Sequence, residues 1–189
     1  MLFIIKEFKE FDESQLSLYY ECFSDSNWRY NYGVLVKEFD IDRYLYLITI
    51  TKYESVRRFL LFERSRLIGF CHIQTCDPLS RRCIISGGVK PNFLRTGIGV
   101  YVACIIIDYI FTKLNMNKIC CKVYSFNSTS FRLLSKIGFT LEGTAREHEY
   151  NEITGEFVDV HFFGLLYREY PNEFVQKILK RVKYEYAEE

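Results

Sequence analysis

Four of the ten glycines fall within thirteen residues, at positions 87, 88, 97 and 99, and they bracket the strongest punctuation in the chain. Upstream, Arg82-Cys83-Ile84-Ile85-Ser86 reads as a strand running toward Lys90. A glycine pair inside a strand weakens it, and marks a bulge or a place where a ligand or another backbone comes close. Pro91 then ends the strand by removing a donor. Thr96-Gly97-Ile98-Gly99 next opens an apolar helix that runs to about Leu114. A glycine turn at a helix N-terminus presents free N–H groups and the positive end of the dipole, which suits an anion. In that order the elements describe a phosphate cradle beside an exposed strand backbone; tight packing is the alternative role for these glycines. Two common nucleotide loops do not fit. The third glycine of a dinucleotide fingerprint is Val102 here, with no acidic residue closing the next strand near Lys122. No Gly-Lys-Ser/Thr completes a Walker loop.

The remaining elements follow from periodicity and turn signals. Strands are predicted at 2–8, 56–63, 67–75, 82–90, 118–124, 141–150 and 156–166. Helices are predicted at 12–23, within 34–48, from Gly97 to about Leu114, at 128–137 where Gly138 closes the turn, and at 171–184. The last has Phe174, Ile178 and Val182 on one face behind Pro171, and reads as an amphipathic terminal helix. The order β-α-α-β-β-β-α-β-α-β-β-α gives an α/β chain with a mixed, mostly antiparallel sheet of about seven strands. Helices cover both faces. A chain of 189 residues without repeats or a linker rich in proline or serine fits one domain over 1–168, followed by a C-terminal helix and tail at 169–189.

Charge and cysteine content exclude several function classes. Lys+Arg total 25 against 24 Asp+Glu, so no basic footprint for nucleic acid is expected. The apolar start at residues 2–5 meets charge at once, and the most apolar run elsewhere, 98–107, is too short for a bilayer. A soluble, cytoplasmic protein is therefore expected. Seven cysteines without a secretion signal read as buried reduced thiols. There is no Cys-x-x-Cys, and His72 beside Cys71 and Cys76 matches no common zinc spacing, so no metal is expected.

Residues 91–99, Pro-Asn-Phe-Leu-Arg-Thr-Gly-Ile-Gly, resemble the acetyl-CoA pyrophosphate motif of the GNAT superfamily of N-acetyltransferases. A second match lies at 127–139, Asn-Ser-Thr-Ser-Phe-Arg-Leu-Leu-Ser-Lys-Ile-Gly-Phe. A third, Leu141-Glu142-Gly143-Thr144-Ala145-Arg146 with residues 155–160, resembles the subgroup of ribosomal-protein alanine, polyamine and nucleotide-amino-sugar acetyltransferases. The resemblance implies direct acetyl transfer from acetyl-CoA to a primary amine, which is either a small molecule or a peptide N-terminus, by a monomer or homodimer. It implies that the amides of Gly97, Ile98, Gly99 and Val100, with Arg95 and Thr96, hold the pyrophosphate. Gly88 and Val89 would meet pantetheine and the thioester carbonyl, and Asn127 and Arg132 would contact the cofactor. Asn127 equally suits the cap of the helix that follows.

Two positions depart from the pattern. The family usually has Gln or Arg where Leu94 stands, and many members have a Tyr where Leu134 stands, as the acid for the leaving thiolate. Ser135 or Ser130 can hold a water instead, or the thiolate leaves unassisted. An acyl-CoA-binding module without turnover is the alternative these departures raise. For the base, the central strand 82–89 offers no carboxylate. Asp159 and His161, which share a strand face by their spacing, are the chosen candidates, with His148, Glu147 and His72 behind them. Trp28, Arg29, Tyr30 and Tyr32 are the expected acceptor wall; an aromatic packing cluster is the other reading of that segment.

Overall fold

A computed structural model describes residues 1–8, 13–23, 35–38, 40, 56–77 and 79–188. Twelve elements follow one another: β1 (Leu2–Phe8), α1 (Glu13–Cys22), β2 (Val56–Glu63), β3 (Arg66–Asp77), β4 (Arg82–Val89), α2 (Ile98–Thr112), β5 (Lys118–Tyr124), α3 (Ser128–Ile137), β6 (Thr140–Asn151), β7 (Glu156–Leu166), α4 (Glu173–Leu179) and β8 (Lys183–Glu188). Short 3-10 turns at Pro91–Phe93 and Tyr167–Glu169 precede α2 and α4. The predicted helix within 34–48 lies outside the described residues, apart from 35–38 and 40.

Among the described residues the eight strands form one sheet in the order β6-β7-β5-β4-β3-β2-β1-β8. Its pairs are antiparallel except β4 with β5 and β1 with β8. α2 supplies the crossover between β4 and β5. Nine of its fifteen residues are buried, so it is the central core helix and not a surface amphipath. One face of the sheet carries Phe3, Ile5, Phe59, Leu61, Cys71, Ile73, Cys83, Ile119, Cys121, Phe163 and Leu165 into the core with α2, α3 and α4. The other face receives α1, where Tyr19 and Phe23 pack on Phe70 at ring separations of 5.2 Å. Among the described residues no helix is long and apolar enough to cross a membrane.

The C-terminal segment differs from the sequence expectation. The helix ends at Leu179, four residues short of the start of an eighth strand, β8, which pairs with β1 from Leu2↔Lys183 to Glu7↔Glu188. Asn172, not Pro171, starts the helix, its side chain accepting the Val175 N–H at 2.9 Å. The physical reason is local alternation with a tertiary partner. In Lys183-Tyr184-Glu185-Tyr186 the tyrosines share one side, where the Tyr184 hydroxyl donates to Asp108 Oδ2 (3.0 Å) and the Tyr186 hydroxyl to Ile105 O (3.1 Å) on α2. Helical spacing would separate those two tyrosines. Asp108 also accepts from Tyr170, so this one carboxylate fastens two C-terminal aromatic residues to the core helix.

Candidate active site

β4 and β5 are neighbours for only part of their length. Their register covers Arg82↔Lys118, Cys83↔Ile119 and Ile84↔Cys120, and stops there although β4 continues to Val89 and β5 to Tyr124. β5 stays paired with β7 throughout, to Tyr124↔Val160. On its other side β4 stays paired with β3, from Asp77↔Arg82 to Gly69↔Val89. The two parallel strands therefore part at their carboxyl ends, the position where open α/β sheets receive ligands.

The ladder fixes which main-chain groups line that opening. Lys90 N donates to Ile68 O at 2.7 Å, so the opposed pairs 70–88 and 72–86 also exchange their bonds within the β3–β4 ladder. Ile85, Gly87 and Val89 then turn their N–H and C=O groups toward β5. This corrects two sequence expectations. Gly88, named for the cleft, directs its backbone to β3, and the inward group is that of Gly87. The glycine pair is also not a bulge: the β3–β4 register shifts only between Thr75 and Asp77. Gly87 is required by close approach, since a Cβ there would lie 2.6 Å from Phe70 O.

At the open end stands the turn into α2. Arg95 (φ 63°) and Gly97 (φ 86°) are both left-handed. Thr96 donates its hydroxyl to Phe93 O (2.7 Å) and accepts the Ile98 N–H (3.3 Å). The first turn of α2 contains no acidic side chain, and its capping residue is Gly97 itself. A Cβ at Gly97 would meet nothing within 4 Å, and one at Gly99 only the Val89 side chain at 3.8 Å. Open space over a helix N-terminus, with left-handed residues ahead of it, is the geometry of a backbone anion nest. It fits the pyrophosphate that the sequence motif implies. Leu94 is half exposed on this turn and offers no polar contact.

The far wall comes from β5, α3 and β7. Asn127 caps α3, its side chain accepting the Ser130 N–H at 3.1 Å, so the capping role is realised. Arg132 and Ser135 are exposed on α3, and the Ser135 hydroxyl donates to Phe131 O at 3.0 Å within its own helix. Leu134 is buried in the core. On β7, Asp159 and His161 do share a face. The Asp159 carboxylate accepts the Glu147 N–H at 2.8 Å, where Glu147 (φ 50°) sits in the irregular stretch of β6 between Ala145 and Glu149. His161 Nδ1 hydrogen-bonds the Thr144 hydroxyl at 2.8 Å, and its ring meets Phe131 edge-on.

Two further groups lie near this opening: Tyr124, absent from the sequence candidates, and His72, one of the lesser candidates for the base. Tyr124 ends the β5 wall, and burial, aided by nearby Glu149, pushes its phenol pKa up, so it stays protonated. His72, opposite Ser86 in the ladder, is hydrogen-bonded and stacked to Tyr19 under α1, and burial lowers its pKa to about 4. Tyr124 could have been found as the last strand residue before the Asn127 cap; the pairing of His72 with Tyr19 spans 53 positions and leaves no local signal. Trp28, Arg29, Tyr30 and Tyr32 lie outside the described residues. Cys22, Cys71, Cys83, Cys104, Cys120 and Cys121 are free thiols; burial raises Cys22 and Cys104 to about 12 and pushes Cys71 and Cys121 up as well.

A family model of the acetyltransferase (GNAT) domain matches residues 7–140, more than two thirds of the chain. The chain belongs to the GNAT acetyltransferase family. It is 35% identical over 108 residues to the uncharacterized N-acetyltransferase p20 of Bacillus licheniformis, covering 57% of this chain and 60% of that one. It is 29% identical over 114 residues to YdaF of Bacillus subtilis, a candidate ribosomal N-acetyltransferase, covering 60% and 61%. The chain thus spans about three fifths of the length of these curated relatives. In fold it matches the spermidine N-acetyltransferase of Vibrio cholerae in complex with CoA and spermine, with a TM-score of 0.73 at 22% identity over 90% of this chain and 98% of that one. The eight-stranded mixed sheet is thus a GNAT-like architecture.

Proposed function

We propose that the protein is an acetyl-CoA-dependent N-acetyltransferase that passes acetyl directly to a primary amine, a small molecule or a peptide N-terminus. The observation that carries this reading is the parting of β4 and β5 beyond Ile84/Cys120, with the left-handed turn at 95–97 at its open end. Arg95, Thr96 and the amides of 97–100 would hold the pyrophosphate, and the inward main-chain groups of Gly87 and Val89 would flank pantetheine. Acetyl-CoA supplies an acetyl thioester whose carbonyl carbon accepts the amine. Fixed N–H donors aimed at the oxygen of such a carbonyl contribute up to about 3–4 kcal/mol each where charge builds on it. Holding amine and thioester side by side adds an orientational gain.

The amine must arrive neutral and lose a proton as the C–N bond forms and the C–S bond breaks. A lysine-like amine of pKa about 10.4 is neutral in only about one molecule in a thousand near pH 7.4, whereas an α-amine of pKa about 8 is often neutral. Of the three catalytic candidates, His161 is carried forward as the base: Nδ1 is fixed by Thr144, and Nε2 has no hydrogen bond among the described residues. Asp159 positions the β6 irregularity beside it, and Ser135 is engaged within α3. Tyr124, at the end of β5 with its phenol kept protonated by burial, is assigned the role that Leu134 cannot fill. Asn127 and Arg132 remain cofactor contacts in this proposal, and Trp28, Arg29, Tyr30 and Tyr32 the acceptor wall.

The acceptor class draws support from both directions, since the fold neighbour acts on a polyamine and a sequence relative is a candidate ribosomal enzyme. Release of free thiol from acetyl-CoA with a panel of spermine, amino sugars and alanine-terminated peptides tests the activity and picks the class. The buried Leu134 favours a second reading, a CoA-binding module without turnover. Acetyl-CoA raising the melting temperature while no amine in the panel releases thiol would establish that module in place of the enzyme.

A further inference from the structure

Where β1 and β8 begin and β2 ends, main-chain bonds draw three segments together. Arg64 N donates to Leu2 O and Lys183 N to Met1 O, both at 3.0 Å. They enclose an open groove of about 420 Å³ lined by Met1, Leu2, Arg64, Lys180, Arg181, Val182 and Lys183. Four of the seven side chains are cationic and none is acidic. Arg64, Lys180, Arg181 and Lys183 are exposed, and none forms an ion pair among the described residues. The nearest acids in sequence are Glu63, already paired with Arg66 at 3.0 Å, and Glu185, next on the same side of β8.

This concentration stands out because the whole chain is nearly balanced, with 25 cationic and 24 acidic side chains. At the opposite edge of the sheet, the β6–β7 hairpin carries Glu142, Glu147, Glu149, Glu152, Glu156 and Asp159. Like charges gathered in a concavity focus the potential there instead of spreading it over the surface. The dipole of α4 accounts for Lys180 at its C-cap. It does not account for Arg64, which arrives from the β2–β3 turn in the left-handed region (φ 56°), where Asn or Gly is more usual.

We propose that this groove is a second anion site, distinct from the α2 turn, and that it binds a phosphate-chain polyanion. Two arginine forks and two ammonium groups from separate segments match an anion with several oxygens spread over more than one phosphorus better than a single carboxylate. The groove is at the same end of the sheet as the α2 turn: Arg66, two residues from Arg64, lies 4.6 Å over the ring of Phe93, which leads into that turn.

The test is calorimetric titration of inorganic tripolyphosphate into the full chain, without CoA and with CoA at saturation. Saturable binding that persists with CoA is expected, together with a loss of at least tenfold in affinity in Arg64→Ala and in Arg181→Ala, each with an unchanged circular dichroism spectrum. Equal affinity for ATP identifies the phosphate chain as the recognised group, and tighter ATP binding points to a nucleotide; both support the site. Absence of saturable binding, indifference to both substitutions, or complete displacement by CoA would overturn it. The arm without CoA reads the groove even if the chain binds no CoA, so failure here is separable from failure of the acetyltransferase reading.

Discussion

Gly97 is a glycine because of its backbone and not its neighbours, since φ is 86° and a Cβ would meet nothing. Gly97→Ala therefore costs on the order of 1 kcal/mol of strain and should keep most of the stabilisation given by acetyl-CoA. Gly97→Glu sets a carboxylate at the positive end of α2 and should abolish that stabilisation. Thermal unfolding with and without acetyl-CoA checks both, and a retained shift in the glutamate variant would move the phosphate site elsewhere. His72 makes a different kind of statement. Its pKa is about 4 in the fold against an ordinary 6.5, so between those values the unfolded chain holds more protons. Its contribution is complete above pH 6.5 and is lost as pH falls toward 4, by no more than about 3 kcal/mol. His72→Gln should flatten that stretch of the stability–pH curve measured by urea denaturation; an unchanged slope would show that the imidazole titrates normally.

At the scale of the element, the proposal gives one residue of α3 two roles. The Asn127 side chain caps the helix, and the family motif gives the same residue to the cofactor. Asn127→Ala should lose about 1 kcal/mol of stability. Asn127→Ser restores a cap oxygen without the amide, so it should recover the stability while acetyl-CoA affinity stays reduced. Equal affinity in Asn127→Ser and the parent would confine the residue to capping. The other end of α3 is set by Gly138 (φ 112°), where a Cβ would approach the Asn172 amide nitrogen to 2.5 Å. That same amide donates to Ile137 O. The helix stop and the start of α4 are thus one junction, which is why Gly138 was readable as a terminator but its partner was not.

In the whole molecule the sheet runs one strand beyond the expected set, and the extra strand comes from the chain's other end. β8 covers the edge of β1 that β2 leaves open, while Tyr184 and Tyr186 pin it to α2. A chain shortened after Val182 should melt at a lower temperature and aggregate more readily, because β1 becomes an exposed edge. An unchanged melting temperature and a monodisperse sample would show that β8 is dispensable. The 17% aromatic content finds its place here as well. Phe3 packs on Tyr101, Phe59 on Tyr109, and Tyr109 on Tyr186, joining three strands to the central helix.

Much of this architecture follows from short-range signals. The bounds of β1, β2, β5, α3 and β7 match their alternation, caps and turns, because those signals act within a few residues. The glycine turn ahead of α2 was legible for the same reason, its glycines and proline being local instructions to the backbone. What surrounds it was not. Which backbone groups of β4 face the cleft depends on the phase of its ladder with β3, and sequence pattern alone leaves that phase open. The fate of residues 183–188 depended on a vacant edge on β1, more than 170 residues away in the chain. The Gly87 requirement, the Tyr19–His72 pair and the gap between β4 and β5 are likewise contacts between distant segments. Sequence alone determined most of the elements and the glycine turn ahead of α2, through local sterics and hydrogen bonding. The tertiary structure decided which backbone groups line the opening beside that turn, because only strand pairing fixes the directions of their N–H and C=O groups.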